Sequence, residues 1–402
     1  MDEVERAFRA AHGQAIATLT RLFGDITLAE DAVQDAFVTA VQRWPRDGVP
    51  DNPAGWIVTT ARNRAIDVVR RNRRGRELTE EIASDRLRAL STTPEHSHPM
   101  RDDQLRLIFT CCHPAIRIEH RVALTLRLIA GLTPSEVAAA FLVSEETMAK
   151  RLVRAKYKIK AAHIPYRVPD DAELPNRLRA VLSVLYLVYN AGADDIRRSD
   201  LRGEAIRLAR LLADLMPDEP EAIGLLALML LNDARVAARE RERGLVLLKD
   251  QDRALWDHSL IAEGQALVLA CMRRGRPGPF QLQAAIQALH CAARSYDETN
   301  WPSIIRFYDR LMTAMPTPVV ALNRAVAMAE IRGADDGLRL IDELAHDLAG
   351  YHPWHAARGS MLHRLGRNAE AAEAYSRAAE LARTEPTVQF LREQSETIAR
   401  SD

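Results

Sequence analysis

The stretch LTPSEVAAAFLVSEETMAKRLVRAKYKI, Leu132–Ile159, decides the fold of the middle of the chain. It predicts two short helices joined by a tight turn, with Thr133 and Pro134 starting the first helix and Ser144 capping the second. In the second helix, apolar residues recur at i, i+4, i+7 and i+11, namely Met148, Leu152, Ala155 and Ile159. This pattern is typical of a helix-turn-helix whose inner face packs and whose outer face can meet a phosphate backbone.

The second of these helices is strongly basic. Its cations are Lys150, Arg151, Arg154, Lys156 and Lys158, and it has no acid after Glu146. Lys150, Arg154 and Lys158 share one line at i, i+4 and i+8. A solvated basic face is the alternative interpretation, but the two cap residues and the inward apolar stripe together favour contact with nucleic acid. Phosphate contacts would position the helix, and one to three side chains would reach base edges.

Charge is unevenly distributed along the 402 residues, although the net charge is zero. Residues 43–76 contain nine Arg against three acids, whereas residues 1–40 contain seven acids against three Arg. Basic blocks in a neutral chain indicate a polyanion bound at particular places.

The composition predicts an all-α chain, because Ala, Leu, Arg and Glu dominate and alternating patterns are scarce. We expect Thr27 and Glu30 to form a capping box for a helix that Pro45 helps to end. Its buried residues are predicted as Ala32, Val33, Ala36, Phe37, Ala40, Val41 and Trp44. Asn52 should cap a second helix, which opens at Pro53 and continues to Arg70.

From Pro175 onward the sequence predicts helix pairs separated by Pro and Gly. Gly333 and Gly366 each lie at a pair junction, 33 residues apart, near the 34-residue tetratricopeptide period. Such pairs stack into a superhelix with a groove. The polar segment 71–99 is predicted to be a linker.

Several kinds of site are not expected. The chain has no phosphate loop, nucleophile elbow or paired His–Glu zinc helix, so neither catalysis nor a cofactor is predicted. Cys111, Cys112 and His113 are consecutive and would point about 100° apart on a helix, which disfavours a metal site. The longest apolar run, 222–231, is too short to span a bilayer. With no signal-peptide pattern and no CxxC among four cysteines, we expect a cytoplasmic protein without a membrane partner.

Three motifs in order resemble the extracytoplasmic function (ECF) group of bacterial RNA polymerase sigma factors. LAEDAVQDAFVTAVQRW (28–44) resembles region 2.1–2.2, PAGWIVTTARNRAIDVVRR (53–71) resembles region 2.3–2.4, and Leu132–Ile159 resembles region 4. The tail resembles the subgroup with a tetratricopeptide-like extension. The resemblance implies a sigma region 2 helical domain at 1–74, a linker at 75–100, a sigma region 4 helix-turn-helix domain at 101–165 and a repeat domain at 166–402.

The resemblance also implies roles for residues of region 2. Asp31, Gln34 and Asp35 should meet basic clamp helices on core RNA polymerase, with a solvated helix face as the alternative. Asn63 should help to hold a base flipped from the −10 element, since an amide can donate and accept along a base edge. The neighbouring −10 contacts are predicted as Arg62, Arg64, Asp67, Arg70 and Arg71. Asp67 could instead pair with Arg70 or Arg71.

In region 4, the resemblance implies that Lys150 and Arg154 enter the major groove of the −35 element, while Thr147 and Arg151 touch phosphates. Many relatives carry larger polar or aromatic side chains where this chain has Ala149 and Val153. Fewer direct base contacts at −35 are therefore expected.

The resulting hypothesis is a sigma factor that binds core RNA polymerase and promoter DNA and helps to open the duplex, with control exerted by the tail through a protein partner or through contacts within the chain. Two alternatives stay open. One is a conventional helix-turn-helix regulator with a sensor tail, and the other is a tetratricopeptide scaffold.

Overall fold

The structure is a computed structural model, and it describes residues 3–74, 99–141, 143–193, 199–241, 244–275, 277–382 and 384–400. The part of the predicted linker at 75–98 lies outside the described residues. By packing, the chain divides into two compact units, residues 1–192 with 198–208 and residues 193–197 with 209–402. The division at residues 74, 100 and 165 implied by the resemblance stays a prediction.

The boundary between the units falls within the last helix of the first unit. The first unit is built from helices. They are α1 (Glu3–Phe23), α2 (Ile26–Asp47), α3 (Pro53–Arg74), α4 (Pro99–Cys111), α5 (Ile118–Leu124) with a π-helical turn (Thr125–Ile129), α6 (Pro134–Ala140), α7 (Glu145–Ala161), α8 (Leu174–Ala193) and α9 (Ser199–Leu215).

In its described residues, the second unit continues with helices, apart from one short hairpin and two 3₁₀ turns. Its helices are α10 (Pro220–Asp233), α11 (Val236–Arg239), α12 (His258–Met272), α13 (Pro279–Ala292), α14 (Trp301–Ala314), α15 (Pro318–Arg332), α16 (Ala334–Asp342), α17 (Ala345–Leu348), α18 (His352–Arg364), α19 (Asn368–Leu381) and α20 (Glu385–Ala399). The hairpin pairs β1 (Glu240–Arg241) with β2 (Gly244–Leu245). The all-α prediction is confirmed. No helix within the described ranges is long and apolar enough to cross a membrane.

In the first unit, α2 packs against both α1 and α3. Trp44 and Trp56 meet edge to face with ring centroids 5.5 Å apart, and Ile57 is fully buried. The α4 and π-helical segments then close against α1. Tyr166 contributes by donating to the Ala17 carbonyl at 2.7 Å, and a Cβ on Gly13 would lie 2.6 Å from the Ile129 carbonyl oxygen. Only glycine allows α1 and the π-helical turn to come this close.

The capping box predicted for α2 was wrong. Asp25, not Thr27, caps the helix, because its carboxylate accepts from the amides of Thr27 and Leu28. Glu30 is instead a buried residue within the helix. Aspartate is as good a cap as threonine, and its position two residues earlier lengthens the helix by a partial turn.

The end of α2 and the exposure of one valine also differ from expectation. Pro45 lies inside the last turn, and the helix ends where Gly48 adopts φ +83° and donates to the Trp44 carbonyl. Val41 was predicted to be buried, but 58% of it is exposed. It lies beside the apolar stripe rather than in it.

The second helix, α3, starts as predicted and runs further. The Asn52 side chain accepts from the Gly55 amide at 2.9 Å, which confirms the cap. The helix continues unbroken past Arg70 to Arg74.

Consecutive helices of the second unit pack against each other, as the helix-pair pattern predicted. The α18–α19 pair meets at Gly359, where a Cβ would lie 3.0 Å from the Tyr375 ring. Gly333 and Gly366 both adopt positive φ at helix junctions. The apolar run 222–231 forms the buried centre of α10, which packs against α12 and α13.

A glycine substitution tests the close approach of α10 to α13. Gly224→Ala would place a Cβ 2.8 Å from the Gln281 amide nitrogen, which is backbone and cannot rotate away. We expect a loss of about 1–3 kcal/mol in the free energy of unfolding. Denaturant unfolding followed by circular dichroism measures it. The control is Gly203→Ala in α9, where nothing lies within 4 Å of the new Cβ and a gain of about 0.5–1 kcal/mol is expected. Equal effects of the two variants would contradict this account.

The buried histidine of α1 predicts acid sensitivity. His12 is fully buried, and its Nε2 donates to the Arg127 carbonyl at 3.1 Å, since a carbonyl can only accept. Burial, reinforced by the nearby Arg127 guanidinium, lowers the pKa of His12 to about 4. Because the unfolded chain takes up a proton at about pH 6.5, stability is fully present above that pH and falls as the pH drops towards 4.

We expect this histidine to account for about 3 kcal/mol of unfolding free energy between pH 6.5 and 4. His12→Gln should flatten the pH dependence in that window, measured as unfolding free energy against pH relative to the unsubstituted chain. The exposed His346, replaced in the same way, serves as the control. An unchanged slope in His12→Gln would show that His12 is not the group that titrates.

Candidate nucleic-acid interface

The helix-turn-helix forms as its cap residues predict. The Thr133 hydroxyl accepts from the Glu136 amide at 3.2 Å, while the Glu136 carboxylate accepts from the Thr133 amide at 2.7 Å, so the first helix has a complete capping box. Ser144 caps α7 by accepting from the Thr147 amide at 3.3 Å. These bonds satisfy amides that would otherwise lack partners and fix where each helix begins.

The α7 helix buries the predicted apolar stripe and exposes the predicted basic line. Lys150 and Arg154 are exposed on the outer face, and the Lys150 ammonium binds Glu146 one turn earlier at 2.6 Å. The Arg151 guanidinium lies 5.0 Å above the Phe141 ring, which orients it at the edge of the helix-turn-helix. Thr147 is exposed at the first turn. A solvated ion pair such as Lys150–Glu146 is worth less than about 1 kcal/mol, so a phosphate can displace the acid.

Two further residues of α7 also lie on the outer face: Val153, which the sequence analysis named as a position of reduced base contact, and Tyr157, which it did not select. Val153 is 63% exposed and Tyr157 is 71% exposed, next to Lys150 and Arg154. Their signal in the sequence was that neither belongs to the buried i, i+4, i+7, i+11 stripe. An exposed valine offers an apolar surface that can contact a thymine methyl group.

The α3 helix presents most of the predicted −10 residues to solvent. The exposed ones are Asn63, Arg64, Asp67, Arg70 and Arg71, while Arg62 is half-buried. Arg71 Nε donates to the backbone carbonyl of Asp67 at 3.3 Å, so this arginine contacts the carbonyl and not the carboxylate. Arg64 Nε instead binds the Asp35 carboxylate of α2 at 2.7 Å. One residue predicted to touch DNA is thus paired with one predicted to touch polymerase.

The α2 face predicted to meet polymerase is solvent-exposed at Asp31, Gln34 and Asp35. Val38 and Val41 continue the same stripe at i+7 and i+10 from Asp31 and are 56% and 58% exposed. The face is therefore both acidic and apolar. Such a surface suits a partner helix that carries cations beside apolar side chains.

A buried carboxylate joins α2 to the helix-turn-helix. Glu30 Oε1 accepts from Arg127 Nε at 2.6 Å, and Glu30 Oε2 accepts from Lys156 Nζ at 2.8 Å. The side chains are 7%, 4% and 17% exposed respectively. Burial by itself would raise the pKa of Glu30, but Lys156 and Arg127 outweigh it and hold that pKa below its usual value. Glu30 is thus charged, and we call these three residues the Glu30 clasp.

The cysteines near this site are buried. Cys111 and Cys112 both lie in the core, with Cys112 Sγ 3.4 Å from the Thr125 hydroxyl, and burial raises the pKa of Cys112 to about 11. A thiol with so high a pKa is not a reactive nucleophile. In the part of the chain that the structure describes, no group of three or more His, Cys, Asp or Glu side chains is arranged to hold a metal ion.

Comparisons with known proteins identify the first and middle segments of the chain. The sigma-70 region 2 family matches residues 7–75, which include α2 and α3. A family of unknown function matches residues 177–272. An uncharacterized protein of Rhizobium meliloti (strain 1021) is 42% identical over 406 residues, covering 98% of this chain and 96% of the relative.

Two further similarities are more distant. The probable ECF RNA polymerase sigma factor SigI of Mycobacterium tuberculosis, in strains CDC 1551 / Oshkosh and ATCC 25618 / H37Rv, is 27% identical over 165 residues, which is 40% of this chain and 56% of SigI. The crystal structure of the P58(IPK) TPR domain covers 100% of this chain and 99% of that chain at 11% identity, but its TM-score of 0.26 is too low to support any argument.

The region 2 match covers the helices that carry the acidic face and the exposed Asn63, and the SigI match extends over 165 residues. Beyond these helices, the chain continues into packed helix pairs. This protein has a sigma-70 region 2 domain at residues 7–75, is similar over 165 residues to a probable ECF RNA polymerase sigma factor, and carries a C-terminal extension of packed helix pairs.

Proposed function

We propose that this sigma factor binds core RNA polymerase through α2, contacts the −10 element through α3 and contacts the −35 element through α7. The observation that carries this proposal is the exposure of three chemically distinct helix faces in one unit. They are the acidic stripe Asp31–Val41, the Asn63–Arg71 face and the Lys150–Tyr157 face. The region 2 match and the similarity to SigI support the general role, and the residues of these faces are the ones proposed to carry it.

The −10 role fits the chemistry of α3. Asn63 is exposed between two arginines, so its amide can donate to and accept from the edge of an unpaired base while Arg62 and Arg64 bind flanking phosphates. Arg64 reaches DNA only after it leaves Asp35. Polymerase cations that bind Asp35 would release Arg64, so polymerase docking and −10 contact would favour each other.

The −35 role fits the outer face of α7. Lys150 and Arg154 lie on the exposed side, and Arg151 stacked on Phe141 is oriented for a phosphate. Val153 extends the predicted set as a contact for a thymine methyl group. No step of this role requires a catalytic group or a cofactor in the chain.

Substitutions in the two DNA faces test the assignment. In transcription with core polymerase and a selected promoter, we expect Asn63→Ala and Arg154→Ala each to lower initiation about 5- to 150-fold, the equivalent of about 1–3 kcal/mol of lost readout. Asn63→Ala should relax preference at −10 only, and Arg154→Ala at −35 only. Arg151→Ala, at the proposed phosphate contact, should instead lower the slope of log affinity against log salt by about one.

The control is Arg332→Ala at the end of α15, which removes an exposed arginine from the tail and should leave initiation unchanged. If both DNA-face variants initiate like the unsubstituted protein on a matched promoter library, the assigned faces are wrong. Tight, polymerase-independent binding of one operator would favour the conventional helix-turn-helix regulator instead.

We also propose that the tail modulates initiation. The packing places α8 and most of α9 with the first unit, and Arg177 of α8 donates to the Phe109 carbonyl at 2.7 Å. A deletion that tests the tail should therefore remove residues 209–402 and keep α8. Altered promoter output by this deletion would support a regulatory role, whereas unchanged output and unchanged polymerase binding would reject it.

A further inference from the structure

We propose that this structure is a closed state of the sigma factor, held by the Glu30 clasp, and that the clasp must break before α3 and α7 can bind one promoter together. This inference rests on the proposed assignment of α3 to the −10 element and α7 to the −35 element. It assigns a role to Glu30, Arg127 and Lys156, which have none in polymerase or DNA contact.

The two DNA faces are held close together through α2. Lys156 of α7 binds Glu30, and Arg64 of α3 binds Asp35. Five residues of a helix rise about 7.5 Å, and a helix with its side chains is about 10–12 Å across. The charged ends of Arg64 and Lys156 therefore lie within about 20 Å of each other by this helix geometry.

Promoter geometry demands a much larger separation. Elements centred about 10 and about 35 base pairs upstream of the start lie on the order of 80 Å apart along a duplex that rises about 3.4 Å per base pair. A separation of about 20 Å between the charged ends of Arg64 and Lys156, even with one helix diameter of about 10–12 Å added on each side to reach the outer faces, cannot span this distance on an ordinary duplex. Simultaneous binding of both elements therefore requires α7 to move away from α2.

The Glu30 clasp is the contact best suited to set this equilibrium. Its carboxylate is nearly inaccessible to water and is satisfied by two cations from the helix-turn-helix unit. Around it the surfaces fit closely, with the His12 ring bonded to the Arg127 carbonyl and Gly13 against Ile129. Loss of the Glu30 charge would leave two cations without their acid in the closed state only, because water solvates them once the surfaces separate.

Polymerase itself is a candidate for the opening agent. Asp31 follows Glu30 directly and lies within electrostatic range of Lys156. A basic polymerase surface that docks on Asp31, Gln34 and Asp35 would bring cations to the acids that attract Lys156. Docking would thus weaken the ion pairing between α2 and Lys156 of α7. The −35 helix is then released while the protein is bound to polymerase, which is the state that binds a promoter.

The test compares full-length Glu30→Gln with the unsubstituted chain by amide hydrogen exchange and by transcription with core polymerase. Glu30→Gln keeps the shape of the side chain and removes its charge. We expect amides of residues 126–132 to exchange on the order of 100- to 1,000-fold faster, because a buried pair that loses one partner shifts the closed–open equilibrium by about that factor. Promoter complexes with core polymerase should form at a lower sigma concentration.

Two further variants make the outcome unambiguous. Glu173→Gln removes the same kind of charge from an exposed pair with Arg167, outside both DNA faces, and should change neither exchange nor complex formation. Lys156→Met keeps the Glu30–Arg127 bond and should open the unit in the same direction as Glu30→Gln. If Glu30→Gln also loses amide protection in the α2–α3 core, the exchange rates of Lys156→Met test the proposal in its place.

The proposal is overturned if residues 126–132 exchange at the unsubstituted rate in both clasp variants, or if they open without any gain in promoter complex formation. Failure of the proposed function has a different signature. In that case the unsubstituted chain does not direct initiation at all, while hydrogen exchange still reports whether the clasp holds α7 to α2.

Discussion

The arrangement of the first unit depends on one buried carboxylate, that of Glu30. Its two partners come from residues 97 and 126 positions further along the chain, so one side chain ties α2 to the π-helical turn and to α7. Burying a carboxylate is unfavourable unless the hydrogen bonds and opposite charges around it are complete. Here both oxygens are bonded, and the cost of removing one partner is about 3–5 kcal/mol.

The Glu30 clasp contributes more to the specificity of the packing than to its stability. An apolar interface between α1 and the π-helical turn would tolerate sliding, since the hydrophobic effect has no direction. The Glu30 bonds and the His12–Arg127 bond can form in one register only. Gly13 and Gly131 permit that register, Gly13 because a Cβ would strike the Ile129 carbonyl and Gly131 because it adopts φ +81°. Polar pairing and glycine placement thus select one docking of the two segments.

The sequence predicted the elements better than their contacts. Local rules located the cap residues Thr133, Ser144 and Asn52 and the buried face of α7, because caps and periodicity act over a few residues. They failed at Thr27, where Asp25 is an equally good cap two positions earlier, and at Val41, which lies at the edge of the apolar stripe. The Glu30 clasp could not be predicted, since nothing in a single sequence links positions 30, 127 and 156. The prediction instead assigned Glu30 to a capping box with Thr27, and so gave no indication of its contacts with Arg127 and Lys156.

The Arg64–Asp35 pair and the Glu30 clasp, which both bind α2, differ in strength, and this difference suggests an order of events. Arg64–Asp35 is about half exposed, so water and salt screen the pair and it exchanges readily with phosphates or polymerase groups. The Glu30 clasp is buried and costs several times more to break. We infer that the −10 face is available early and that release of α7 is the demanding step. A sigma factor built this way would hold α7, its proposed −35 helix, back until polymerase occupies α2, because breaking the clasp separates the Glu30 carboxylate from its two cations.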